Sequence, residues 1–91
     1  MAVVVRIPTQ LRSLTDGSSE VKVEGETVGE VLAALDRAHP GFNDRLFDDA
    51  GQLRRFVNVF VADEDVRFLK GVDTKVEPGT TVSIIPAVAG G

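Results

Sequence analysis

Thr27-Val28-Gly29-Glu30-Val31-Leu32-Ala33-Ala34-Leu35-Asp36-Arg37 is the stretch on which the fold turns, because here the hydrophobic period is clearly helical. Val28, Val31, Leu32 and Leu35 form a single apolar stripe, with Glu30, Asp36 and Arg37 away from its centre. Thr27 and Glu30 stand as a capping box, in which a hydroxyl and a carboxylate satisfy orphan amides at a helix start. His39-Pro40-Gly41 stops the helix, since proline disfavours helical geometry in the residue before it.

On either side of this helix the period falls to two. Upstream, Ala2–Ile7 reads as a strand with Val3, Val5 and Ile7 on one face and Arg6 on the other, ended by Pro8. After a polar turn at Asp16-Gly17-Ser18-Ser19, Glu20–Glu24 alternates Val21 and Val23 against Glu20, Lys22 and Glu24, which predicts a hairpin. Downstream, a short helical turn is expected over Phe42–Phe47, followed by an Asp48-Asp49-Ala50-Gly51 loop. Arg54–Ala62 then alternates Val57, Val59 and Val61 with Phe56, Asn58 and Phe60. Asp63-Glu64-Asp65 reads as a tight turn, Val66–Phe68 as a short return strand and Leu69–Pro78 as irregular chain. Thr81–Ile85 is the last strand, with Val82 and Ile84 facing inward, and Pro86 closes it. One amphipathic helix covers only one face of a sheet. The element order therefore predicts an α+β fold of β-grasp type, a mixed sheet with one main helix packed on one face. The first and last strands are expected to be parallel central neighbours. Residues 1–86 make a single domain on this reading, and 87–91 a flexible tail ending in Gly-Gly.

Composition narrows the function classes. A chain of 91 residues has room for one core, and 43% apolar with 26% charged residues is a globular balance rather than a disordered one. Ten Lys and Arg against fourteen Asp and Glu give a net charge of −4, which disfavours nucleic acid and anionic membrane surfaces as partners. No cysteine is present, which excludes a disulfide framework, a thiolate metal site, a thiol nucleophile and a side-chain persulfide. No apolar run approaches the ~18 residues of a membrane span, and the opening valine run breaks at Arg6 and Pro8, too soon for a secretory signal. A cytoplasmic protein, monomeric when free, is the expectation.

Side-chain chemistry is sparse. The glycines form neither a phosphate loop nor a dinucleotide fingerprint. The single histidine, His39, has no recognisable nucleophile motif to serve and reads as a helix-end residue favoured by the dipole. A calcium loop starting at Asp63 would need glycine at its sixth position and glutamate at its twelfth, where Phe68 and Thr74 stand instead. Phe56, Asn58 and Phe60 share the strand face opposite the helix, where they are either covered by the Phe42–Phe47 segment or the irregular stretch, or exposed as candidate docking residues. The strongest feature is the end. Two terminal glycines arise by chance in roughly one chain in two hundred, and here Ala87-Val88-Ala89-Gly90-Gly91 follows Pro86 with no bulky or charged side chain. Such a tail fits a narrow channel, with Gly90, Ala89, Val88 and Ala87 as its slim stem and the Gly91 carboxylate as the group presented.

Ile7-Pro8-Thr9, Leu11-Arg12, Arg55-Phe56-Val57-Asn58, Asp63-Glu64-Asp65-Val66-Arg67-Phe68 and Ile85-Pro86-Ala87-Val88-Ala89-Gly90-Gly91 together resemble the MoaD/ThiS family of ubiquitin-like sulfur carriers, and within it the CysO-type branch. The resemblance spans essentially the whole chain. It implies a non-enzymatic carrier whose terminal glycine, here Gly91, is adenylated with ATP by an E1-like adenylyltransferase/sulfurtransferase and converted to a thiocarboxylate. It further implies a PLP-dependent cysteine synthase as acceptor, with thiosugar or other thiolating enzymes as related acceptors, and a zinc metalloprotease that releases cysteine. No cofactor is expected on this chain itself. The same activated end would also serve a protein modifier joined to lysines through Gly91. A plain interaction domain using the Phe56/Phe60 face is the third possibility.

Overall fold

The computed structural model describes residues 2–54 and 57–86. Strands β1 (Ala2–Arg6) and β2 (Glu20–Glu24) precede helix α1 (Val28–Ala38) and the short α2 (Phe42–Leu46); β3 (Val57–Val61), β4 (Glu64–Asp65) and β5 (Thr81–Pro86) follow. They form one mixed sheet in the order β2-β1-β5-β3-β4. The first and last strands are parallel neighbours near its centre, Val4 opposite Thr81 and Arg6 opposite Ser83. β2 pairs antiparallel with β1, β3 with β5 and β4 with β3.

The alternation in each strand becomes burial on one face. Val3 and Val5 of β1, Val57 and Val59 of β3, and Val82 and Ile84 of β5 are buried. Against them lie Val28, Val31, Leu32 and Leu35, the four residues of the α1 stripe, also buried. Each such side chain contributes about 1.5–3 kcal/mol when fully removed from water, so the stripe alone fixes which side of the sheet the helix takes. Phe42 and Leu46 of α2 complete this core from the helix side. The Asp36 carboxylate links the two helices, its Oδ1 accepting from the amides of Gly41 at 3.3 Å and Asn43 at 2.8 Å.

Local structure departs from the sequence reading at three points. Between β1 and β2 the chain does not run directly into a polar turn. It forms a 3-10 segment over Thr9–Thr15 that buries Leu11 and Thr15 before turning at Asp16 and Gly17. At the start of α1, Thr27 Oγ1 accepts from the Glu30 amide at 3.2 Å as the capping box requires. The reciprocal bond, however, reaches one residue further back, from the Glu26 amide to Glu30 Oε1 at 3.0 Å. Third, the tight turn is centred on Ala62 and Asp63, both at positive φ (49° and 76°), with Val61 opposite Glu64. That two-residue loop matches the right-handed twist of the flanking strands even without glycine. Glu64–Asp65 therefore becomes the return strand, and Val66–Phe68 a 3-10 turn that drives Val66 into the core.

Two glycine exchanges of opposite sign test this packing. A Cβ on Gly25, where β2 turns into α1, would lie 2.8 Å from the Val31 amide nitrogen and 2.9 Å from its Cγ2. Gly25→Ala is expected to cost about 1–3 kcal/mol through forced displacement of the helix. Ala62→Gly relieves a left-handed alanine and is expected to gain about 0.5–1 kcal/mol. Urea unfolding of both variants checks the pair.

Candidate functional site

The tail named by the sequence, Ala87, Val88, Ala89, Gly90 and Gly91, lies outside the described residues, as does Phe56. The structure locates the root from which the tail leaves. β5 is clamped on both sides, by β1 in parallel and by β3 in antiparallel register, and Pro86 stands opposite Val57. Sheet pairing therefore holds the last strand up to its final residue.

Around this root the sheet face opposite α1 is uncovered by any described helix. Asn58 and Phe60 lie on that face, half-buried, alternating with buried Val57 and Val59. Asn58 faces Ile85 across the β3–β5 pair, and Ile85 is 48% exposed although it is a large aliphatic residue. Phe60 faces Ser83 on one side and Asp65 on the other. The two described candidates of the docking face are thus brought together beside the tail root. Phe68 is 88% exposed just past β4, with Leu69 next to it.

Arg67 organises this corner. β4 covers only Phe60 and Val61, so the outer edge of β3 would otherwise present free carbonyls near Val57. The Arg67 guanidinium takes that place, donating from Nη2 to the carbonyls of Val57 and Arg54 and from Nη1 to Asn58 Oδ1, each at 2.9 Å. Its own amide donates to Asp65 Oδ1 at 2.8 Å, which fixes the 3-10 turn carrying it. Arg67 was hidden in the sequence, where Val66–Phe68 read as a strand. Its grip spans residues nine to thirteen positions away, and no local pattern encodes it.

The remaining sequence candidates are structural. His39 caps the C-terminal end of α1, its amide donating to the Leu35 carbonyl at 2.8 Å. The acidic triplet is divided between the Ala62–Asp63 turn and the short β4. No cluster of three potential metal ligands occurs among the described residues. No described helix is long and apolar enough to cross a membrane.

The five-stranded mixed sheet with its main helix on one face defines a ubiquitin-like β-grasp protein. The chain belongs to the ThiS family, whose model matches residues 5–91. It is 47% identical over 93 residues to the sulfur carrier protein CysO of Mycobacterium tuberculosis, with both chains covered completely. It superposes at a TM-score of 0.93 and 47% identity on a chain from the Amycolatopsis orientalis BexX/CysO complex, over 99% of this chain and 100% of the other. It is also 40% identical to small archaeal modifier protein 3 of Haloferax volcanii over 65 residues, 71% of this chain and 70% of that one. These relatives are small carriers and modifiers, and this chain is likewise a non-enzymatic protein of that type.

Two substitutions separate frame from face. Arg67→Ala leaves the β3 edge unsealed and is expected to cost about 1–3 kcal/mol. Phe60→Asp changes a half-buried side chain outside the core and sets a carboxylate opposite Asp65, and is expected to lower stability by about 1–2 kcal/mol while weakening partner binding. Thermal melts and a pull-down with a partner enzyme check both; a collapse of the melting temperature in Phe60→Asp would make Phe60 a core residue.

Proposed function

We propose that this protein is a sulfur carrier whose working group is the Gly91 carboxylate, alternating with a thiocarboxylate. The observation that carries this reading is full-length likeness to sulfur carrier protein CysO in a chain that itself ends in Gly90-Gly91 and lacks any thiol. With no cysteine present, sulfur has no side chain to ride on, which leaves the chain end as its carrier. A carboxylate is a poor acyl donor, so it must first be activated. An oxygen of the Gly91 carboxylate attacks the α-phosphorus of ATP on an E1-like enzyme, pyrophosphate leaves, and an acyl-adenylate results. Sulfide, or a persulfide followed by reduction, displaces AMP and leaves the thiocarboxylate.

The sulfur then passes to a biosynthetic acceptor. For this chain the proposed acceptor is an activated serine derivative on a PLP-dependent synthase. The thiocarboxylate sulfur replaces the activated oxygen group at the β-carbon, that group leaves as its anion, and the acyl group shifts from sulfur to the amine to give a cysteine amide-linked to the carrier's end. A zinc metalloprotease hydrolyses that cysteine off and restores the Gly91 carboxylate. Related thiolating enzymes, such as those making thiosugars, are further acceptors of the same donor. ATP, PLP and zinc all belong to the partners. The tail suits this traffic because Ala87, Val88, Ala89 and Gly90 are small and uncharged, so each partner needs only a narrow channel. A similar chain is known in complex with a second protein, BexX, which supports docking of the folded domain as well as of its tail.

Incubation with ATP, sulfide and a competent E1-like enzyme is expected to give an ATP-dependent mass gain equal to one oxygen replaced by sulfur, confined to the C-terminal peptide. Deleting Gly90-Gly91 is expected to abolish that gain with the melting temperature unchanged. Likeness to an archaeal modifier protein favours a second use of the same end, conjugation to lysines. A ladder of conjugates on denaturing electrophoresis, in place of sulfur transfer, would make that the primary role.

A further inference from the structure

Beside the tail root, on the side away from Arg67, an open groove of about 480 Å³ lies between the end of β1, the 3-10 segment after it and the end of β5. Its apolar lining includes Ile7, Pro8, Ile84 and Ile85, and its polar lining Thr9, Ser19 and Ser83. Charge in it is uneven: Arg6 and Arg12 against Glu20 leave one positive charge, in a chain whose net charge is −4. Arg6 is already matched, its Nε 3.8 Å from Glu20 Oε2, with both side chains exposed. Arg12 is different. It is half-buried, and its Nε donates to the Ile7 carbonyl at 3.1 Å, which fixes the plane of the guanidinium. Among the described residues, no partner takes its two terminal amino groups.

A planar guanidinium held by Nε, with its amino pair unclaimed among the described residues and lining an open groove, is shaped for a bidentate carboxylate. The groove also sits where a partner must come. β1 and β5 are parallel, so both end at the edge from which the tail leaves. An enzyme that threads residues 87–91 into its active site must rest its channel mouth on this edge. Resting on the carrier reading, we propose that the Arg12 groove is an anchoring pocket for an aspartate or glutamate on the rim of the activating enzyme's tail channel. The occupant is acidic because the unclaimed group is a cation. It is a side chain of the partner rather than a free anion because the groove is open and shares its wall, Ile85, with the tail root. Arg12 thereby positions the Gly91 carboxylate without touching it, and a chain of net negative charge gains a local attraction for an acidic rim.

The test is steady-state adenylation, read as ATP–pyrophosphate exchange with the E1-like enzyme and varied full-length carrier. Arg12→Gln is expected to raise the KM for carrier about tenfold with kcat nearly unchanged, as for loss of one charge-assisted contact. Arg12→Lys should recover part of the loss. Added salt should raise the wild-type KM more steeply than that of Arg12→Gln, a difference that a merely structural arginine would not produce. Ser83→Asp keeps the Arg12–Ile7 bond and places a competing carboxylate in the groove, and is expected to raise the KM comparably. Wild-type KM values in Arg12→Gln and Ser83→Asp, with the wild type adenylated normally, would overturn the pocket and leave the carrier reading standing. A wild-type chain that is not adenylated at all would overturn both.

Discussion

The parallel ladder between β1 and β5 is the constraint on which the rest of the molecule depends. Parallel strands cannot be joined by a tight turn, so everything from β2 to β4 is the connection between them. That connection supplies the helix that covers one face and the antiparallel strands that flank the central pair. Because Val82 and Ile84 are buried, a slip of β5 by one residue would turn both to water and bury Ser83 and Ile85 in their place. Register is thereby fixed through to Pro86, the last described residue of β5.

Position and chemistry are consequently separate. Among the described residues the core is aliphatic apart from Phe42 and the buried Thr15 and Thr74, and none of their buried side-chain polar atoms lacks a partner. Around the exit, the exposed face of β3 and β5 gives an apolar surface with Ile85 and Phe60, while Arg67 closes the neighbouring edge so that the face stays a face and does not recruit another strand. On the other flank, Arg12 holds a cation ready beside the same exit. Apolar contact and charge are thus grouped at the edge of the sheet where β1 and β5 both end.

Much of this was legible in the residues. The α1 stripe, the alternation in β1, β2, β3 and β5, and the inward set Val3, Val5, Val57, Val59, Val82 and Ile84 follow directly from period and burial, because each belongs to one regular element. The central parallel pair was an expectation of the β-grasp arrangement that periodicity alone does not prove, and the structure has it. Legibility ended where long-range contacts decide. The 3-10 segment at Thr9–Thr15 exists because Leu11 and Thr15 find a place in the core, which no local propensity announces. The turn at Ala62–Asp63 overrides the turn chemistry of its own sequence, since strand twist selects positive φ at two residues that are not glycine. Arg12 and Arg67 stood in the sequence only as members of motifs shared with the family, and their roles were not legible, because what distinguishes them is which carbonyl their guanidinium reaches. Phe56 and the tail residues 87–91 lie outside the described residues, so the tail remains a reading of sequence and family likeness.

The central claim is that the chain's end itself carries the reactive sulfur, with the folded domain serving only to deliver it. A full-length protein prepared chemically with a Gly91 thiocarboxylate, mixed with the PLP-dependent synthase and its activated serine substrate, bypasses ATP and the activating enzyme altogether. Stoichiometric formation of cysteine attached to the C-terminus is expected from the thiocarboxylate and none from the carboxylate form, with free sulfide at equal concentration giving far less free cysteine. As much free cysteine from sulfide as carrier-bound cysteine from the thiocarboxylate, or no product from the thiocarboxylate with a synthase active on another carrier, would contradict the carrier role.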